Sequence, residues 1–404
     1  MKQKSSFAII LTVVVLLVAA CQPVTAPGQS GPTTYTLGIA LPETGSLGSF
    51  GTDFKKGVEL AVEQMNAELS AAGSAVQFAT ASADTTGTPD GAAKAVQTVV
   101  QSSGAKVVIG PLTTGEVLGA KQFADENQVV IVAPASSAPS AAIADDYIFR
   151  VMYPPDTYAG KAFGQIATVR EYKNIVVLQL DDPFGNGMTE AFKANFTTDG
   201  EIAVTTYAPE PADLSGEASK ISSEIARLSA AGKTAFFCIC FLGDAQKLLQ
   251  QAVTDQNLGS VEWLGVENLV NKEILGDPAH AAFLAKVGLT SVSFADRANP
   301  NTQAFKDAFR AKYGTDAGPF TNYAYDAANI AMLSMLAAGN SGSGVKAILP
   351  MIANHYIGTS VQAHLDANGD QDVVFYGIFQ LNQDGTDFAQ IGTFDGATGE
   401  VQFE

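Results

Sequence analysis

The sequence predicts an α/β protein built of two doubly wound parallel-sheet lobes. Three observations lead there. The chain has 404 residues, 47% of them apolar and only 16% charged, enough for the buried cores of two or three domains. From Tyr35 onward, short apolar runs of strand character alternate with amphipathic stretches of helical period. The alternation then starts afresh at Asn174 and gives a second unit like the first. Strands separated by helices imply parallel pairing, right-handed crossovers and helices on both faces of each sheet.

Taken in order, Tyr35 to Leu41 reads as the first strand. Thr52 to Ala72 follows as a helix, because Phe54, Val58, Ala61, Val62, Met65 and Leu69 recur at helical spacing and Gly73 can end it. Val76 to Ser82 is a strand, Pro89 to Ser103 a helix, Lys106 to Gly110 a strand, Gly115 to Asn127 a helix and Val129 to Ala133 a strand. The second unit runs as strand Asn174 to Leu180, a helix near Gly187 to Asp199, and strand Ile202 to Ala208. Helix Leu214 to Ala231, strand Thr234 to Ile239, helix Ala245 to Asn257 and strand Val261 to Leu264 complete it. Thr302 to Tyr313, Tyr325 to Ala338 and Val345 to Asn354 read as further helices. Val373 to Leu381 and Phe388 to Phe394 alternate like antiparallel strands. This last part forms either a third domain or a return of the chain to complete each lobe in turn.

Composition excludes some functions. Lys+Arg 23 against Asp+Glu 41 leaves a net charge of −18, the wrong sign for nucleic acid or for broad docking on anionic lipid. Gly45, Gly48 and Gly51 are wrongly spaced for a dinucleotide fingerprint, and no Gly-Lys-Ser/Thr follows them. Asp366-Ala367-Asn368-Gly369-Asp370 begins like a calcium loop, but Gly377 stands where the twelfth-position Glu belongs, so it reads as a polar turn. Asp181 and Asp182 are adjacent and do not make a catalytic pair. With three histidines and no hydrolase motif, the sequence points away from an enzyme and offers no metal or cofactor site. Cys238 and Cys240, at i and i+2 on one face of a buried strand, read as two small apolar core residues, since a bridge across one residue would be strained.

The N-terminus places the chain outside the cytoplasm. Lys2 and Lys4 precede an apolar run from Phe7 to Val18, too short for a comfortable transmembrane helix. Val18-Ala19-Ala20-Cys21 then resembles a bacterial lipoprotein signal, which implies lipidation of Cys21 and loss of residues 1–20. The Pro-, Thr-, Gly- and Ser-rich stretch from Gln22 to Thr34 reads as a flexible tether. The membrane would be met through this anchor only.

Several segments together resemble the substrate-binding proteins of branched-chain amino acid ABC importers, the leucine/isoleucine/valine-binding type. They are Leu37-Gly38-Ile39-Ala40-Leu41-Pro42-Glu43-Thr44-Gly45, Gly57-Val58-Glu59-Leu60-Ala61, Val108-Ile109-Gly110-Pro111 and Ala133-Pro134-Ala135-Ser136-Ser137. Phe184-Gly185-Asn186-Gly187, Tyr325-Asp326-Ala327 and the turn at Asp366 continue the likeness over about residues 35–404. The resemblance implies two lobes joined by a three-segment hinge, closing on a small ligand. It divides the chain into 35–153 and 290–358 for the first lobe, 154–289 and 359–404 for the second. ABC permease subunits would be the protein partners, and no cofactor is implied.

The resemblance also implies a site. Thr113 and Thr114, with Ser136 and Ser137, would hold a ligand carboxylate in two loops that end strands and start helices, where free N–H groups and the helix dipole favour an anion. The competing reading is plain N-capping. Glu267, after a buried strand of the second lobe, would hold the α-ammonium; otherwise it is an ordinary loop glutamate. Phe50, Phe184, Phe241 and Phe320 fall where the family keeps bulky walls, and having no hydroxyl they favour an apolar side chain or an aromatic acid. Each could equally be core. Tyr153 and Tyr158, flanking a first hinge near Pro154-Pro155, are weaker candidates.

Overall fold

A computed structural model describes residues 32–294, 300–359 and 362–404. The signal segment, Cys21 and the tether up to residue 31 lie outside the described residues. The tether ends earlier than its composition suggests: Thr33 and Thr34 already belong to the first strand, paired with Val76 and Gln77.

The first sheet is parallel throughout, in the order β2-β1-β3-β4-β5. Its strands are β1 (Thr33–Leu41), β2 (Val76–Asp84), β3 (Val107–Ile109), β4 (Val130–Val132) and β5 (Ile148–Phe149). Residues alternate between its faces as strand geometry requires. Leu37, Ile39, Val107, Ile109, Val130 and Val132 pack under α1 (Gly48–Ala71) and α10 (Thr321–Ala338). Ala40, Val108 and Ile131 pack under α2 (Pro89–Ser103) and α3 (Thr114–Asn127). Gly38 is needed there, because a Cβ would stand 2.8 Å from Val99 Cγ1 of α2.

The second sheet follows the order β13-β12-β11-β10-β9-β8-β6-β7. Strands β6 (Asn174–Leu180), β7 (Ile202–Tyr207), β8 (Thr234–Ile239), β9 (Glu262–Gly265) and β10 (Thr290–Phe294) are parallel. Strands β11 (Phe375–Leu381), β12 (Phe388–Asp395) and β13 (Glu400–Phe403) add an antiparallel edge. Helices α4 (Asp156–Val169) and α5 (Pro183–Lys193) cover one face through Phe163, Met188 and Phe192. Helices α6 (Ser215–Ser229), α7 (Leu242–Ala252) and α8 (Pro278–Lys286) cover the other. The remaining helices, α9 (Pro300–Tyr313) and α11 (Gly342–Asn354), belong with the first sheet, α9 against α1 and α11 against β4.

The chain therefore passes between the sheets three times: after β5, after β10 and after α11. The boundary expected at residue 290 shifts, since β10 sits between β9 and β11 of the second sheet and the return begins only at α9. The β10 residues, Thr-Ser-Val-Ser-Phe, lack the apolar run that marks a buried parallel strand, and the buried Thr290 hydroxyl accepts from Arg170 Nη1 and donates to the Gly288 carbonyl. The Asp366–Asp370 turn is structural. Asp366 Oδ1 accepts from the N–H of Asn368 and Asp370 at 2.8 and 3.0 Å, and the turn delivers Asp370 to Arg150.

The cysteine reading needs correction. Cys238 and Cys240 are fully buried, as core residues would be, but they are bonded to each other. Two residues of regular strand span about 6.6 Å, whereas these Cα atoms are 5.4 Å apart, and Cys240 lies just beyond the end of β8 at Ile239.

Candidate functional site

The cleft lies between the C-terminal ends of the two sets of parallel strands, the edge at which open α/β sheets take ligands. From the first lobe it is lined by Leu47, Phe50, Leu112, Thr113, Thr114, Ala135, Ser137 and Phe320, with Tyr153 at the crossing. From the second it is lined by Phe184, Phe241, Glu267 and Asn268. The space between them is about 510 Å³ with its open mouth included. Eight of the nine ligand-binding residues read from the sequence thus meet around one cavity; Ser136 stands directly behind it.

The first wall is built on the start of α3. Thr113 is its N-cap and makes a capping box: Thr113 Oγ1 accepts from the Glu116 N–H at 3.2 Å, and Glu116 Oε2 accepts from the Thr113 N–H at 2.9 Å. The capping reading therefore holds for Thr113, which faces the cavity as well. Thr114 Oγ1 accepts from the N–H groups of Ser137 and Ala138 at 3.2 and 3.0 Å and shares a hydrogen bond with Ser136 Oγ at 3.0 Å. This knots the two loops together. Asp156 gives its N–H to the Ser137 carbonyl at 2.9 Å, and burial together with the nearby Glu267 charge pushes its carboxyl well above the usual carboxylate range.

The second wall is the turn after β9. Val266 and Leu269 point into the core on either side, and Glu267 and Asn268 are left on the cavity side. Tyr153 Oη donates to Glu267 Oε1. Glu267 Oε2 and Asn268 Oδ1 are both buried and have no hydrogen-bond partner among the described residues. Burial raises the Glu267 pKa above its ordinary 4.5, against the lowering effect of the Tyr153 hydrogen bond. Buried acceptors without donors are uncommon in folded proteins, and two on adjacent residues lining one cavity mark a place for a donor from outside the chain.

The apolar walls come in two pairs, one from each lobe. Phe50 and Phe320 lie nearly parallel with centroids 6.5 Å apart; Phe184 and Phe241 stack at 5.4 Å. Tyr153 meets Phe320 edge-on at 5.8 Å. Phe320 adopts φ +62°, a left-handed conformation that only a few per cent of non-glycine residues take, immediately before α10. Tyr158, the weaker candidate, does not line the cavity; its hydroxyl bonds to the Asp372 carbonyl at 3.4 Å.

Two features were not legible as site residues. Asn268 follows Glu267 in a three-residue turn whose direction no periodicity reveals. Arg150, fully buried, clamps Asp370 with Nε and Nη2 at 2.6 and 2.5 Å and gives Nη1 to the Ala138 carbonyl at 2.8 Å. It thus ties two of the crossing segments to the loop that carries Ser136 and Ser137. A lone arginine inside Tyr147-Ile148-Phe149-Arg150-Val151-Met152 is the signal that could have found it. At the mouth, Ser46 of the first lobe gives its N–H and its hydroxyl to Glu210 of the second, each at 3.1 Å, so the lobes touch across the cleft.

Comparison with known proteins agrees with this fold. An uncharacterized protein of Methanocaldococcus jannaschii is 25% identical over 392 residues, covering 91% of each chain. A leucine-, isoleucine-, valine-, threonine- and alanine-binding protein of Pseudomonas aeruginosa is 24% identical over 87% of this chain and 91% of its own. Among solved structures, the branched-chain amino acid transporter substrate-binding protein of Streptococcus pneumoniae, in complex with isoleucine, superposes with a TM-score of 0.72. It is 22% identical and covers 89% of this chain and all of its own. A solute-binding protein from R. palustris in complex with benzoate gives 0.73 at 20% identity, over 89% of this chain and 96% of its own. The periplasmic binding protein family profile matches residues 34–372, and the chain belongs to that family.

Proposed function

We propose that the protein is the extracytoplasmic, lipid-anchored substrate-binding component of an ABC importer, and that it captures a small apolar amino acid, branched-chain or similar, by hinge closure. The observation that carries this reading is Glu267: a buried carboxylate oxygen without a donor, lining the same cavity as the start of α3. The ligand carboxylate lies at Thr113, Thr114 and Ser137, with Ser136 holding Thr114 from behind. The α-ammonium lies at Glu267, and the side chain rests against Phe50, Phe320, Phe184 and Phe241. Only a closed cleft makes both sets of contacts, so ligand shifts the population toward closure. The closed form then docks on permease subunits, with acylated Cys21 keeping it near them.

A second reading, an aromatic carboxylate without an amine, has the two phenylalanine pairs in its favour. It leaves Glu267 Oε2 buried with no donor, and for that reason the amino acid is preferred. A ligand sensor of the same fold would use the same contacts, and neither reading includes turnover.

The test is a thermal-shift panel of leucine, isoleucine, valine and phenylalanine against the matched acids lacking the amine. Ligand at about 100 times its dissociation constant adds roughly 2.7 kcal/mol of stability. A shift with the amino acids alone supports the reading. A shift with the deaminated acids alone overturns it. Mass spectrometry of the mature N-terminus tests the anchor: acyl chains on Cys21 are expected, and an unmodified thiol would remove the lipoprotein assignment.

A further inference from the structure

The turn Glu267–Leu269 carries a second unanswered acceptor besides Glu267. Asn268 is 9% exposed and lines the cavity, and its Oδ1 has no hydrogen-bond partner among the described residues. An apolar residue would serve that position better if the turn had only to fold, because a buried amide oxygen without a donor destabilises the chain. The neighbouring positions show the alternative: Val266 and Leu269 of the same turn are apolar and packed into the cores. The second wall therefore offers two acceptors, a carboxylate oxygen and an amide oxygen, from adjacent residues into one space.

Resting on the reading above, we infer that Asn268 is a specificity-determining residue that shares the ligand's nitrogen with Glu267, so that the site selects a nitrogen carrying at least two hydrogens. A primary ammonium has the hydrogens to donate to both oxygens at once. The NH2 of a primary carboxamide has the same donor count without the charge, and it is the other source of this chemistry. A tertiary or quaternary nitrogen leaves at least one of the two acceptors buried and unanswered, which costs more than the missing bond itself.

The experiment measures the affinity of the full folded chain for four probes: leucine, N,N-dimethylleucine, 4-methylpentanoate and 4-methylpentanamide. Asn268→Ala and Asn268→Leu are compared with the unaltered protein, and the ligand-free melting temperature of each variant is recorded. The expected result is a roughly tenfold loss of leucine affinity in both variants, the loss of about one hydrogen bond to a charged group. Affinity for 4-methylpentanoate stays within twofold, and the ligand-free melting temperature holds or rises. N,N-dimethylleucine binds the unaltered protein weakly and loses nothing more on substitution. If the unaltered protein binds 4-methylpentanamide and not leucine, and the variants weaken it, the inference stands with an amide as the nitrogen source and the amino-acid reading falls. If leucine binds and the variants leave it unchanged, or weaken leucine and 4-methylpentanoate alike, the inference is overturned while the amino-acid reading survives. If only 4-methylpentanoate binds, or none of the probes, both fall.

Discussion

The two walls of the cleft are built from the same kind of unit, the end of a parallel strand and the turn that follows, yet their polar groups are in opposite conditions. On the first lobe the hydroxyls of Thr113, Thr114 and Ser136 are answered from within. Thr114 Oγ1 already serves two N–H groups and Ser136, and Thr113 already caps α3. On the second lobe, Glu267 Oε2 and Asn268 Oδ1 are buried with no partner among the described residues. The first wall is therefore held rigidly in place before any ligand arrives, and the second holds interactions in reserve. That difference separates what a substitution does to folding from what it does to binding.

The largest effect is expected at Glu267. Glu267→Gln removes the charge facing the ligand's ammonium, and breaking a buried charged pair costs about 2–5 kcal/mol, so leucine affinity should fall by roughly thirtyfold or more in isothermal titration calorimetry. Because the carboxylate lacks a full set of partners in the free protein, urea unfolding of the ligand-free variant should show equal or higher stability. Thr114→Val should do the reverse in balance. It strips the acceptor from the N–H groups of Ser137 and Ala138, each at a buried position, and about 1–3 kcal/mol of stability should go with it. If Glu267→Gln proved the more destabilising of the two, the contrast between the walls would be wrong.

Acidification should separate the same two quantities. Burial raises the Glu267 pKa above 4.5. For a carboxyl whose folded pKa is raised, the contribution to stability is fully present below the unfolded value and is lost as pH rises through the folded one. Binding of an ammonium needs the ionised form, so affinity has the opposite slope: it is full above the raised pKa and falls as pH drops through it. Asp156 shifts in the same direction and adds to the stability slope. Titration calorimetry across the acidic range should show leucine affinity falling from a pH above the ordinary glutamate range. Glu267→Gln should abolish most of that slope. An unaltered slope in that variant would place the titrating group elsewhere.

How much of this was legible in the sequence follows from the physics of each part. Helical period and capping gave α2 at Pro89–Ser103 and strands β6 and β8 with their observed ends, because local pattern decides them. β10 was not legible, since Thr-Ser-Val-Ser-Phe offers no apolar run and its buried Thr290 is answered by distant Arg170. The short β5 and the helix α4, which starts after two prolines, escaped for a related reason: their context is the crossing between lobes and not a repeat. In the site, Thr113, Thr114, Ser137, Glu267 and the four phenylalanines came through a family resemblance, and the structure brings them around one cavity. Asn268 and Arg150 did not, because their meaning lies in where a side chain ends. Arg150 reaches Asp370, 220 positions away along the chain.

The smallest expected effect tests whether the walls communicate only through ligand. Ser46 donates from its N–H and its hydroxyl to Glu210, and its hydroxyl also lies 3.3 Å from Asp244 Oδ1, so one short loop of the first lobe meets two carboxylates of the second. None of these groups lines the cavity. Glu210 holds φ +52°, a backbone state that is uncommon for a residue with a side chain. Glu210 is exposed and Ser46 half-buried, and a hydrogen bond in such a place contributes a fraction of what a buried one does. Ser46→Ala removes the hydroxyl and leaves the N–H bond, so leucine affinity should weaken about two- to fivefold, consistent with roughly 0.5–1 kcal/mol. Small-angle scattering without ligand should show a slightly larger radius of gyration, and at saturating leucine the variant and the unaltered protein should coincide. If affinity fell and the ligand-free radius did not change, Ser46 would be acting on the pocket itself. If neither changed, closure would rest on the ligand alone, with Glu267 and Asn268 as the groups that the second lobe brings to it.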